Sequence, residues 1–158
     1  MASPNKQQDK HLIVGWKEWV DLPELGLRRL KVKIDTGART SALHAFSIEP
    51  FAKDGRQWVR FGIHPKQNNN EIEVFCEAEV TDQRTVSDSG GHKESRYVIT
   101  TPINLGNEQW PIEITLSNRN NMRFRMLLGR TAMRGRLCVD PNAAYLLGKP
   151  ARHSKHSH

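Results

Sequence analysis

The stretch that decides the reading is Lys33-Ile34-Asp35-Thr36-Gly37-Ala38-Arg39-Thr40-Ser41. Just before and into it, Leu30, Val32 and Ile34 alternate with Arg29, Lys31 and Lys33. That period-two pattern describes a strand with one face inward and one in water. The strand runs directly into Asp-Thr-Gly. A carboxylate at a strand end, on a tight turn, is expected to face a cleft rather than the core. Gly37 is expected to let the backbone turn sharply and approach a neighbour, and the Thr36 hydroxyl to brace the turn against a partner strand. Composition alone yields Asp-Thr-Gly in roughly one chain in thirty of this length, and Asp often opens a turn without any chemistry. The triplet therefore needs support from the rest of the chain.

Outward from it, alternation dominates. Ile72, Val74, Cys76, Ala78 and Val80 oppose Glu71, Glu73, Glu77 and Glu79. Ile112, Ile114 and Leu116 alternate with Glu113, Thr115 and Ser117, and Phe124, Met126 and Leu128 with Arg123, Arg125 and Leu127. Turn chemistry separates these runs: Lys53-Asp54-Gly55, Asn68-Asn69-Asn70, Ser89-Gly90-Gly91 and Gly106-Asn107. Many short strands so spaced argue for a barrel or a sandwich. One short helix is expected, from Thr131 to about Arg134.

With 158 residues, 37% hydrophobic and 26% charged, the chain has the balance of one globular domain with a real core. No apolar run is long enough to span a bilayer, and the polar start has no secretory pattern, so a cytoplasmic setting is expected. Residues 1–10 and 149–158 are too polar to bury a core and are expected to be disordered tails around a domain at 11–148. Cys76 and Cys138 lie in strand-like patterns and are expected to be buried free thiols. The net charge of +7 is uneven: Arg119, Arg123, Arg125, Arg130, Arg134 and Arg136 fall in a stretch without acidic residues. That run is either a solvated basic face or a surface for an acidic peptide or a nucleic acid. No nucleic-acid-binding signature accompanies it, which favours the peptide.

Two elements together resemble the retropepsins, the single-domain aspartic proteases: Asp35-Thr36-Gly37-Ala38, and later Leu127-Leu128-Gly129-Arg130 followed by a short helical stretch. In that fold a strand ending in Gly crosses beside the Asp-Thr-Gly loop, and the Gly permits close passage. Residues 33–45 more closely resemble a bacterial and archaeal family that carries the label of an ATP-dependent zinc protease and is associated with RimK-type glutamate ligases. Arg96-Tyr97-Val98-Ile99, Met126-Leu127-Leu128-Gly129-Arg130, Val139-Asp140-Pro141 and Tyr145-Leu146-Leu147-Gly148 extend the likeness over residues 13–148. The zinc and ATP parts of that label find no residues here. The chain has no His-Glu-x-x-His and no phosphate-cradling Gly-x-x-x-x-Gly-Lys-Ser/Thr. No metal and no cofactor are expected, with His44, His64, His92 and Cys76 as the set that would have to gather were the label correct.

The resemblance implies a mostly β fold, a closed retropepsin-like (acid protease) β-barrel with one short helix near the C-terminus. It implies an aspartic endopeptidase with Asp35 catalytic and Thr36 and Gly37 shaping its loop. Ala38, Arg39, Gly129 and Arg130 are expected at the substrate, under a hairpin over residues 85–96 whose tip carries Gly90 and Gly91. Two carboxylates close together must share a proton. This chain has a single Asp-Thr-Gly, so the second carboxylate is expected from another copy in a symmetric homodimer. The expected partners are the second copy, an acidic peptide or protein substrate and a RimK-type ATP-grasp ligase. Membranes and nucleic acid are not expected as partners. The alternatives are a non-proteolytic binding or regulatory module on the same fold, a zinc-dependent protease, or a basic nucleic-acid adaptor.

Overall fold

The computed structural model describes residues 11–66, 69–87, 90–118 and 124–149. The expected tail at 1–10, and 150–158 of the expected C-terminal tail, lie outside the described residues, as do Arg119 and Arg123. Twelve strands are assigned among the described residues: β1 (Leu12–Val14), β2 (Lys17–Leu22), β3 (Leu27–Ile34), β4 (Ser41–His44), β5 (Ser47–Lys53), β6 (Arg56–Ile63), β7 (Val74–Glu79), β8 (Asp82–Ser87), β9 (Lys93–Leu105), β10 (Glu108–Ser117), β11 (Met126–Leu128) and β12 (Leu137–Val139). Pro23–Leu25 forms a single 3-10 turn, and Arg130–Met133 a short helix, α1.

Six strands close into a barrel in the order β10-β4-β11-β3-β2-β9, with β9 returning to β10. The fold is therefore the closed, mostly β barrel with a short helix near the C-terminus. The alternation around Asp35 reads correctly: Leu30, Val32 and Ile34 are all buried. They pack with Val20, Leu22, Leu43, Ile99, Ile103, Ile114, Leu116, Met126 and Leu128 in the barrel core. Each such side chain, fully buried, contributes about 1.5–3 kcal/mol. β8 pairs only with the start of β9, so this hairpin projects from the barrel.

The residues between β4 and β8 build something separate, an antiparallel sheet in the order β5-β6-β7. Asp54 and Gly55, at φ 54° and 76°, make the tight turn between β5 and β6. The inward face of this sheet supplies Val59, Phe61, Ile63 and Cys76 to the same core. The Cys76 thiol donates to the Leu25 carbonyl at 3.3 Å, and burial pushes its pKa up to about 11. The expectation of two buried thiols holds for this one alone. Cys138 is exposed, because β12 pairs only with β1 and one face of that pair stays open.

Two further expectations shift. Ile72 and Phe124 lie outside the strands assigned to their patterns, and Ile72 is exposed. Thr115 and Ser117 are buried rather than solvated. Glu18 is also buried, fully, on β2. Its carboxylate accepts the N–H groups of Gly15, Leu146 and Leu147 at 2.7, 2.9 and 3.3 Å. A buried charge needs such partners, and these fasten the C-terminal segment to β2. The stack of Tyr145 on Trp19, 5.4 Å between centroids, reinforces the attachment. No helix among the described residues is long and apolar enough to cross a membrane.

Candidate active site

β3 delivers Asp35 to the barrel's end, where the chain leaves the sheet. The Asp35 N–H still bonds the Leu128 carbonyl at 2.9 Å, so the loop begins from a fixed point on β11. The side chain is half-buried, and its Oδ1 accepts the Gly37 N–H at 3.0 Å. The Ala38 N–H closes the turn on the Asp35 carbonyl at 3.2 Å. A Cβ at Gly37 would meet only that carboxylate oxygen, at 3.3 Å. The close backbone approach expected at Gly37 is found instead at Gly129. A Cβ there would lie 2.6 Å from the Thr40 carbonyl carbon and 2.9 Å from the Ser41 nitrogen.

β11 and α1 form the bed of this loop. The Gly129 N–H donates to Ser41 Oγ at 3.0 Å, the Arg130 N–H to the Ala38 carbonyl at 2.9 Å, and the Thr131 N–H to the Arg39 carbonyl at 3.0 Å. Arg130 is exposed, and its Nη1 donates to the Thr36 carbonyl at 3.0 Å. Thr36 is therefore held through its carbonyl, and its side chain is exposed. The loop is gripped along its length while Thr36 and Gly37 are exposed and Asp35 is half-buried.

Beside the loop lies an open cleft of about 640 Å³ between Gly37, Ala38, Arg39 and Thr40 on one side and Thr85, Val86 and Ser87 of β8 on the other. Arg84, Arg96, Glu113 and Thr115 also line it. Of the hairpin expected at 85–96, Thr85, Val86, Ser87 and Arg96 line the cleft, and 88–89 lie outside the described residues. Its tip residues Gly90 and Gly91 are exposed and are not among those lining it. Gly91, at φ 86°, is in the left-handed turn conformation that glycine accepts without strain.

Among the described residues, the cationic lining is not the arginine run read from the sequence. Arg125 reaches away to the Lys66 carbonyl and Asn70, and desolvation lowers its pKa. Arg136 lies over the Trp110 ring, 4.9 Å from its centroid. The guanidiniums in the cleft belong to Arg39, Arg84 and Arg96. A polar chain ties the hairpin to the loop bed: Arg96 Nη1 lies 3.4 Å from Thr115 Oγ1, Thr115 Oγ1 donates to the Ser41 carbonyl at 3.1 Å, and Ser41 Oγ receives Gly129. Arg84, Arg96, Glu113, Thr115 and Ser41 escaped the sequence reading as site residues. The only signals were Ser41 and Arg96, each within one of the quoted matching motifs.

The histidines and cysteine that a zinc site would need do not assemble. His64 stacks on Phe46 and contacts the Ile72 carbonyl, Cys76 faces Leu25, and His92 follows the hairpin tip. Among the described residues, no three of His, Cys, Asp and Glu converge in a metal-sized group.

Comparison with known proteins places this geometry. A family model described as RimB-like, retropepsin-like aspartic endopeptidase RimB, matches residues 13–150. A protein of Shewanella pealeana named probable alpha-L-glutamate ligase is 45% identical over 141 residues, covering 89% of this chain and 31% of its own length. One of the same name from Parasynechococcus marenigrum is 49% identical over 139 residues, 88% of this chain and 30% of that protein. The chain thus spans about a third of the length of the curated relatives it matches. A crystal structure of a Legionella pneumophila protein of unknown function superposes with a TM-score of 0.72 at 28% identity, covering 86% of this chain and 98% of that one. The Asp-Thr-Gly loop seated on β11, the closed barrel and the match over nearly all of the chain give one conclusion: this chain belongs to the RimB-like family of retropepsin-like aspartic endopeptidases.

Proposed function

We propose that the chain is an aspartic peptidase working as a homodimer, in which water between the Asp35 carboxylates of two copies attacks a peptide carbonyl. The observation that supports this reading is the placement of Asp35. It is half-buried at a strand end, on a loop held from beneath, next to a cleft under a hairpin. In the dimer, one Asp35 is ionised and takes a proton from the water, while the protonated other supports the developing oxyanion. Thr36 and Gly37 shape the loop, and Gly129 and Arg130 hold it. Ala38 and Arg39 contact substrate, and Gly90 and Gly91 let the hairpin tip close over it. The working unit is residues 11–148. The deciding experiment is peptide cleavage by wild type and Asp35→Asn.

The substrate we propose is an acidic peptide, with glutamate-rich tails as the leading class. Among the described residues, three arginines and one carboxylate line the cleft, and this supports it. Relatives named glutamate ligases support a role beside such an ATP-grasp enzyme, as a separate protein or as part of a longer one. Two unpaired cysteines are compatible with a reducing, cytoplasmic setting. Binding of an acidic peptide is expected to weaken as salt rises, since the screening length falls from about 10 Å at 0.1 M to about 3 Å at 1 M. Arg39→Ala is expected to weaken it severalfold further. Equal affinity for acidic and neutral peptides of one length, measured by titration across salt, would refute this preference.

Cleavage is expected to survive exhaustive chelation, because the proposed chemistry runs through carboxylates alone. Assaying treated protein with and without added zinc checks this. Activity lost on chelation and restored only by zinc would overturn it. The relatives are named as ligases rather than peptidases, and this favours one second reading: a binding module that presents acidic peptide to a ligase without cleaving it. Acidic-peptide binding with no cleavage by wild type would select that reading.

A further inference from the structure

The hairpin carries an arrangement that cleavage alone does not require. Arg84 on β8 and Arg96 on β9 stand directly opposite each other in the ladder. Like charges so placed are unfavourable unless each is compensated. Each has a carboxylate two residues away on its own strand: Asp82 Oδ2 lies 2.7 Å from Arg84 Nε, and Glu94 Oε1 lies 2.9 Å from Arg96 Nε. Arg84 has a second carboxylate as well. Its Nη2 lies 3.0 Å from Oε1 and 3.1 Å from Oε2 of Glu113, which comes from β10 on the cleft wall. Asp82 already answers the charge of Arg84, so Glu113 adds a carboxylate where the guanidinium faces the cleft. Both residues line that cleft.

We propose that Glu113 is a built-in competitor for substrate carboxylates and so determines the charge selectivity of the cleft. Without peptide it occupies Arg84. When an acidic peptide binds, a substrate carboxylate takes its place on the guanidinium. This inference rests on the acidic-peptide reading above and names the residues that enforce it. Exchange of one carboxylate for another conserves the ion pair, and the planar fork of arginine suits either partner. The pair is also easily exchanged. Its side chains are 36% and 43% exposed, and open ion pairs of this kind shift an equilibrium by no more than about fivefold. Arg96, with a side chain only 10% exposed and held by Glu94, stays fixed beside it.

The test uses the Asp35→Asn chain, so that binding is read without turnover, and fluorescein-labelled hexaglutamate and hexaglutamine as probes in anisotropy titrations. Glu113→Gln keeps the side chain's shape and removes its charge. It is expected to tighten hexaglutamate binding severalfold, up to about fivefold, and to leave hexaglutamine unchanged. Arg84→Gln is expected to weaken hexaglutamate binding by a similar factor, and the gain from Glu113→Gln is expected to shrink in that background, where no guanidinium is freed for the peptide. The proposal is overturned by an equal gain for both peptides, by no gain, by a gain undiminished in Arg84→Gln, or by hexaglutamate failing to bind at millimolar concentration. If wild type and Asp35→Asn cleave equally, the peptidase mechanism falls while the charge selectivity still stands. If cleavage depends on Asp35 and the peptide preference ignores Glu113, only the role of Glu113 falls.

Discussion

Asp35→Asn is expected to abolish peptide cleavage, by at least about 10³-fold, and to leave the fold intact. The asparagine oxygen can still accept the Gly37 N–H that Asp35 Oδ1 accepts at 3.0 Å, and the half-buried side chain carries little packing. What is lost is a group that exchanges a proton with water. Because each copy supplies one carboxylate of the proposed pair, activity per mole of wild type should climb with protein concentration until dimers saturate. Mixing in a ninefold excess of Asp35→Asn should leave about a tenth of the wild-type activity, since most wild-type copies then sit opposite an asparagine. The pH profile should be bell-shaped, with two apparent pKa values that belong to the pair. Sedimentation across a concentration series, run beside the cleavage assays, checks these outcomes. A strict monomer that cleaves, or a fully active Asp35→Asn, would end the two-carboxylate mechanism.

Gly129→Ala is expected to damage both the fold and the site. The added methyl would sit 2.6 Å from the Thr40 carbonyl carbon, 2.8 Å from its oxygen and 2.9 Å from the Ser41 nitrogen. All three are backbone atoms, and Ser41 begins β4, the strand that β11 must pair with. Neither side can yield as a flexible side chain would. The expected loss is about 3 kcal/mol of stability, read as a lower urea midpoint. Cleavage should fall further than stability alone predicts. The shift would disturb the Ser41 Oγ contact and the two backbone bonds from Arg130 and Thr131 that seat the Asp35 loop. Gly37→Ala provides the contrast, since its methyl would meet only the Asp35 carboxylate, and it should leave the urea midpoint nearly unchanged. Equal midpoints for Gly129→Ala and wild type would show that the close passage does not constrain the fold.

Much of this was legible because the strands that build the site announce themselves locally. Leu30, Val32 and Ile34 give β3 its inward face, and Asp35-Thr36-Gly37 then ends the strand. Leu127-Leu128-Gly129 marks the strand that passes beneath, and a short helix follows it. Where the reading overran, the cause is that period two reports which residues share a face, not where pairing stops or what covers each face. Ile72 and Phe124 keep the rhythm but leave the ladders. Cys138 keeps it too, but its face is open because β12 pairs with β1 alone.

By itself the sequence determined a mostly β fold of short strands, the carboxylate at a strand end and the strand that ends in Gly129, because these depend on neighbours within a few residues, while the closed barrel was implied only by the family resemblance. The tertiary structure alone decided the character of the cleft. Arg84 meets Glu113 across 29 positions, Thr115 meets Ser41 across 74, and Glu18 holds Leu146 across 128. The arginine run that looked like one surface was dispersed, with Arg125 and Arg136 turned to separate neighbours, while Arg39 met Arg84 and Arg96 of the distant β8–β9 hairpin. Closing a sheet into a barrel sets which strands face each other, and no local pattern of charges or periods carries that information.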